Sequence, residues 1–149
     1  MPFKNDGKHV QKYVYDFAVD GGAQGVITLS GKAGYDPLPA GAIVTAVAGH
    51  VLTACLSGGS ATVIWGSGDD ADGYSGPTIA VGSLTANAVF NGWDNAAVEL
   101  WDDTNDHPIY KYIDEITTSG KVTLTIATAD LTAGKIVLFV EYLYGDTAA

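Results

Sequence analysis

From His9 to Phe17 the chain alternates, with Tyr13, Tyr15 and Phe17 on one face and Val10, Lys12, Val14 and Asp16 on the other. Successive side chains of a strand leave opposite faces, so this period of two predicts a half-buried β-strand. Apolar and β-branched runs predict further strands at Gly25–Ser30, Ile43–Cys55, Ala61–Trp65, Val98–Asp102, Ile109–Ile113, Val122–Thr128 and Ile136–Tyr144. The long Ile43–Cys55 run carries Gly49 at its middle, where a bend or bulge is expected. Between the runs lie turn signals: Asp20-Gly21-Gly22, a loop over Gly34–Pro39, and a second loop over Gly66–Gly76. Ser57-Gly58-Gly59-Ser60 reads as a hairpin turn, its glycines supplying positive φ. Thr78–Leu84 is expected to hold the only helical turn, since no stretch keeps a 3.6-residue period over helical length. Short strands separated by frequent turns predict an all-β fold: a single-domain antiparallel β-sandwich, jelly-roll-like.

A weak internal echo fits two layers. Leu38-Pro39-Ala40-Gly41-Ala42-Ile43-Val44 is matched by Leu131-Thr132-Ala133-Gly134-Lys135-Ile136-Val137, each leading into a long strand. The expected shared chemistry is a corner: Leu anchors in the core, Gly lets the backbone turn, and β-branched residues resume the ladder.

At 149 residues the chain is of single-domain size, and folding at that length buries about 70% of the unfolded surface. The apolar runs fall well short of the ~20 residues that a membrane helix needs, so no membrane association is expected. Met1-Pro2-Phe3-Lys4-Asn5-Asp6 lacks the apolar core of a signal peptide, which predicts synthesis in a cytoplasm without export by that route. Cys55 is the only cysteine and lies in an apolar stretch, so a buried, inert thiol is expected.

Charge narrows the classes of function. Seven lysines, no arginine and seventeen acids give a net charge of −10. Without guanidinium forks, direct nucleic-acid binding is not expected. The charge is also uneven. Residues 1–12 carry Lys4, Lys8 and Lys12 against Asp6, whereas the rest carries four lysines against sixteen acids. The division expected is a slightly basic N-terminal arm, residues 1–12, ahead of an acidic β-sandwich domain, residues 13–149. Phe3, Lys4, Lys8, Val10 and Lys12 are the partner-binding candidates: the lysines steer toward an acidic neighbour, and Phe3 and Val10 add apolar anchoring.

The remaining chemistry is weak. Asp69, Asp70, Asp72 and Gly73 invite a calcium reading, but the twelfth position of such a loop falls on Ile79 where Glu is needed. A solvated acidic loop is expected there, and likewise at Asp102, Asp103, Asn105 and Asp106. His9, His50 and His107 show no ligand spacing, and no G-x-S-x-G elbow occurs. Glu99 and Glu115, flanked by Trp93 and Trp101, form a remote glycosidase idea. Trp65, Trp93 and Trp101 with the tyrosines would suit a sugar-stacking platform or an interface as well as a core. No metal, cofactor or catalytic residue is assigned, and the expectation is that the protein is not an enzyme.

Several segments together resemble small structural proteins of tailed bacteriophages. They are Tyr15-Asp16-Phe17-Ala18-Val19-Asp20-Gly21-Gly22, Leu38-Pro39-Ala40-Gly41, Thr45–Thr53, Ser57-Gly58-Gly59-Ser60-Ala61-Thr62, Val89-Phe90-Asn91-Gly92 and Leu131-Thr132-Ala133-Gly134-Lys135. The resemblance runs from about Tyr13 to Tyr144 and consists of turn and strand motifs. It implies a capsid decoration, or cement, protein: a β-sandwich or jelly roll bound as a homotrimer to the major capsid protein on the head exterior, stabilising the shell. A receptor- or carbohydrate-binding virion module is the alternative, and a small hydrolase a distant third.

Overall fold

The computed structural model describes residues 7–68, 70–75, 78–91, 101–102, 107–108, 111–112 and 120–144. In chain order the elements are β1 (Gly7–Asp16), α1 (Phe17–Asp20), β2 (Gly25–Thr28), β3 (Ile43–Ser57), β4 (Thr62–Ser67), β5 (Ile79–Ala80), a 3-10 turn (Val81–Ser83), β6 (Val89–Asn91), β7 (Trp101–Asp102), β8 (His107–Pro108), β9 (Lys111–Tyr112), β10 (Val122–Ala127) and β11 (Leu131–Tyr144). They form two main antiparallel sheets, one ordered β1-β11-β3-β6 with β9 also on β3, the other β2-β10-β4-β5; β7 and β8 pair apart. The all-β sandwich expected from periodicity is the observed fold.

Alternation builds the core. Tyr13 and Tyr15 of β1, Ile136, Leu138 and Val140 of β11, and Val47 and Val51 of β3 are buried from the first sheet. Val63 and Trp65 of β4 and Val122, Leu124 and Ile126 of β10 are buried from the second. The buried tyrosines place their hydroxyls on loop carbonyls: Tyr13 donates to Asp36 O at 2.7 Å and Tyr15 to Gly21 O at 2.9 Å. Each thereby buries an aromatic ring without stranding a polar group. Burial pushes both hydroxyls' ionisation well above the ordinary tyrosine value.

The sheets are joined at one end by three crossings: β1 to β2 through α1, β3 to β4, and β10 to β11. Their backbones interlock, with Leu131 N donating to Gly22 O at 2.8 Å, Gln24 N to Asp130 Oδ1 at 3.0 Å and Ser57 Oγ to Asp130 O at 2.7 Å. Ser57–Ser60 is therefore not the hairpin that its Gly-Gly pair implies. It carries the chain between sheets, and neither Gly58 nor Gly59 has positive φ.

Gly49 corrects a second expectation. The β11–β3 register runs unbroken past it, with Leu138 opposite Gly49, and the irregularities fall at Leu131–Ile136 and Glu141/Tyr142. The glycine instead makes room for the Trp65 indole, which a Cβ would meet at 3.0 Å. The echo at residues 38–44 and 131–137 shares its anchors: Leu38 and Leu131 are buried, and Gly41 and Gly134 have φ of 87° and 143°. The elements differ, because the first precedes β3 and the second already lies within β11. At Gly134 a Cβ would meet Cys55 Sγ at 2.5 Å, so only glycine fits.

The first alternating run ends one residue early. Asp16 is extended and caps α1 by accepting from Ala18 N at 3.0 Å, which turns Phe17 out of the strand. A short helix thus occurs besides the turn in Thr78–Leu84, which is the 3-10 turn at Val81–Ser83. Lys12, the last residue of the expected arm, lies within β1. Residues 7–12 are the first part of β1 and pair with Phe139–Tyr144 of β11. Among the described residues no helix is long and apolar enough to cross a membrane.

Candidate functional site

Among the described residues β1 is an edge strand, bonded to β11 alone in its sheet. Since Tyr13 and Tyr15 point inward, the even-numbered residues of β1 point outward. Lys8, Val10 and Lys12 therefore share one outer face, as the charge pattern requires if they act together. Val10 is 63% exposed. Phe3 and Lys4 lie outside the described residues.

The neighbouring strand extends this face with residues that charge and motif reasoning passed over. Ile136, Leu138 and Val140 of β11 point inward, so Phe139 and Glu141 point outward, opposite Lys12 and Val10 respectively. Leu143 stands opposite Lys8. Phe139 and Leu143 are 38% and 41% exposed. Their signal in the sequence was the alternation Phe139-x-Glu141-x-Leu143, two apolar residues and an acid on a face that a solvated sheet leaves polar. Farther across, β3 places Ala48 opposite Phe139, and Val89 of β6 lies exposed opposite His50.

The electrostatics of the face are asymmetric. Lys8 Nζ lies 3.5 Å from Glu141 Oε1, while Glu141 also accepts from Thr45 Oγ1 at 2.9 Å. Lys12 is exposed with no ion pair among the described residues. An acidic chain thus presents a basic and apolar strip along one sheet edge. Such a strip suits adhesion to an acidic partner; an exposed apolar patch with a charged margin is a common interaction surface.

Near the end of β1 at Asp16, a cavity of about 160 Å³ lies among Asp16, Asp20, Lys32, Tyr35 and Lys135. Asp20 Oδ1 is 2.6 Å from Lys32 Nζ and Asp16 Oδ2 is 3.0 Å from Lys135 Nζ. The Lys135 hydrogen bond, then that of Ala18 N, hold the Asp16 carboxyl below its ordinary value. With each carboxylate matched to an ammonium, the cluster ties β1, α1, β11 and the loop that carries Lys32 together.

The other candidates separate. Trp65 is fully buried and meets Phe90 edge-on at 6.1 Å between ring centroids, so it belongs to the core and not to a sugar platform. Trp101 lies in β7, while Trp93, Glu99 and Glu115 fall outside the described residues. His9 stacks on Tyr142 at 5.3 Å, His50 of β3 pairs with Val137 of β11, and His107 lies in β8. Asp70 and Asp72 sit in a loop folded over Gly66, with Ser67 N donating to Asp70 O at 2.8 Å and Ser75 N to Asp72 O at 3.0 Å. Asp69 lies outside the described residues, as do Asp103, Asn105 and Asp106. Among the described residues no group of three His, Cys, Asp or Glu side chains is placed to hold a metal. Cys55 is buried, and desolvation pushes its thiol up to about 11.

No protein-family model matches the chain, and no curated protein matches it in sequence. Among solved structures, the chain is similar to one in the cyanophage Pam1 capsid asymmetric unit, at 16% identity and a TM-score of 0.57, over 92% of this chain and 84% of that one. It is also similar to a chain in the capsid of Ralstonia phage GP4, at 17% identity and a TM-score of 0.51, over 99% of this chain and 90% of that one. At these identities the likeness is one of fold.

Proposed function

We propose that this chain is a non-enzymatic structural protein of a bacteriophage virion, which binds the outer surface of the capsid as a homotrimer and stabilises the head. The observation that carries the reading is the likeness of fold, over nearly the whole chain, to chains found in two phage capsid structures. The topology supports it. Two antiparallel sheets ordered β1-β11-β3-β6, with β9 also on β3, and β2-β10-β4-β5 are compatible with the jelly roll that this reading entails, an architecture of viral capsid and lectin domains.

The physics of attachment follows from the surface. The acidic body, which keeps copies apart in solution, turns outward. The strip of Lys8, Val10, Lys12, Phe139 and Leu143 meets the major capsid protein. Exposed ion pairs contribute only about 0–1 kcal/mol each, so the apolar members carry much of each contact. Three linked subunits then raise avidity by about 10²–10⁴ over one.

The test is to add the protein to isolated heads that lack it and to measure occupancy over a salt series. The wild-type chain is expected to bind, with occupancy falling as salt rises, and to raise the temperature at which heads rupture. The Lys8→Glu/Lys12→Glu variant is expected to bind less at low salt while keeping its fold. Substitution is a cleaner probe than deletion of residues 1–12, which would strip β11 of six of its ten pairings with β1. Equal occupancy of both proteins at every salt concentration would refute the role of the strip.

A further inference from the structure

The backbone of β1 divides into a closed half and an open half. In an antiparallel strand each residue directs its N–H and C=O to the same side, and successive residues alternate sides. Asp16 N donates to Asp20 Oδ2 at 2.9 Å, and Val14 O accepts from Lys32 Nζ at 3.0 Å, both on the side away from β11. The even-numbered residues of β1 therefore address the free edge. At Val14 and Asp16 that edge is occupied by the Asp20–Lys32 ion pair. At Lys8, Val10 and Lys12 no hydrogen bond to the backbone on that edge occurs among the described residues. The same three residues carry the exposed basic and apolar side chains.

We infer that Lys8–Lys12 is a strand-addition site, which binds an extended segment of a partner protein with acids at positions i and i+4 about an apolar residue. Main-chain bonds to the open edge supply affinity, and alternate side chains supply selectivity. The Lys-x-Val-x-Lys pattern sets the selectivity. In an antiparallel pairing centred on Val10, the residues opposite Lys8 and Lys12 lie four apart, where carboxylates are favourable and like charges are not. That same rule disfavours a second copy of β1 as occupant, because a two-fold pairing about Val10 sets Lys8 against Lys12. Lysines on an edge are a recognised guard against such self-pairing. Closure of the edge at Val14 by Lys32 fixes where the guest ends on that side.

This inference rests on reading the β1 strip as the docking surface, but it is testable without capsids, so its failure and that of the virion assignment are distinguishable. The probe is a peptide of residues 98–104, acetylated and amidated to remove terminal charges. It carries Glu99-x-Trp101-x-Asp103, the one place in this sequence where two acids four apart flank a large apolar residue. Titration of the full chain is followed by amide shifts and hydrogen exchange. The expected result is saturable binding that slows exchange at Lys8, Val10 and Lys12. Gln11 and Tyr13, whose amides face β11, should be little changed. The Lys8→Glu/Lys12→Glu variant should bind at least about tenfold more weakly, and a peptide with Lys at both acid positions should not bind. Dissociation of a pre-existing oligomer by the peptide would support the site and identify its partner as a second copy. Absence of saturable binding, equal affinity of the variant, or protection without the alternate-residue pattern would each overturn the proposal.

Discussion

Replacing Trp65 with alanine is expected to lower the folding free energy by about 3–5 kcal/mol, the range for deleting a buried aromatic ring. Trp65 is fully buried on β4, crosses the sandwich to lie against Gly49 of β3, and meets Phe90 of β6 edge-on. One ring thus bridges both sheets, and its loss leaves a cavity bounded by two hydrogen-bonded ladders that cannot collapse freely. Trp65→Phe should cost less than half as much. The indole Nε1 is buried with no hydrogen-bond partner among the described residues, so phenylalanine loses no bond there and removes a desolvated donor. Urea unfolding of the three proteins at equal m-value measures the difference. A Trp65→Ala cost below about 1 kcal/mol would mean that the sheets are not packed around this ring.

Gly22→Ala should cost about 2 kcal/mol or more. A Cβ there would overlap the Leu131 carbonyl and come within 2.8 Å of Phe17 Cε2. Neither backbone can retreat cheaply, because Gly22 O accepts the Leu131 N–H at 2.8 Å and Leu131 is itself anchored in the core. Gly58→Ala, at another crossing of the same end, meets nothing within 4 Å and has no positive φ to preserve. It should stay within about ±0.5 kcal/mol. Denaturation midpoints of the two variants test whether the interlocked crossings clamp the sandwich; equal losses would contradict it.

Which residues face inward was legible in the sequence, because alternation in β1 is a local property of the strand. The start of β3 at Ile43 was legible from its apolar, β-branched run, while its end lies at Ser57, two residues beyond the expected Cys55. What each strand pairs with was not. Ser57-Gly58-Gly59-Ser60 looks like a hairpin, since two glycines permit one, but whether the chain folds back or crosses depends on what waits on the far side of the core. Gly49 shows the same limit. A glycine in a strand signals either a bulge or a close approach, and the approaching group, Trp65, lies on the other sheet. Charge spacing singled out Lys8, Val10 and Lys12, and β1 does align them on one face. Their place in a paired edge strand follows from Phe139–Tyr144, which no local pattern connects to them. Phe139 and Leu143 join the strip only once β11 is set beside β1.

If the chain stands on the outside of a phage head, as proposed, an averaged map of the intact particle will reveal it there. Density for the two-sheet sandwich is expected on the outer surface, in three copies about a local threefold axis. The Lys8–Lys12 edge of β1 is expected to be covered by a neighbouring chain. A shell without that density, or isolated copies whose β1 edge faces solvent, would contradict the proposal.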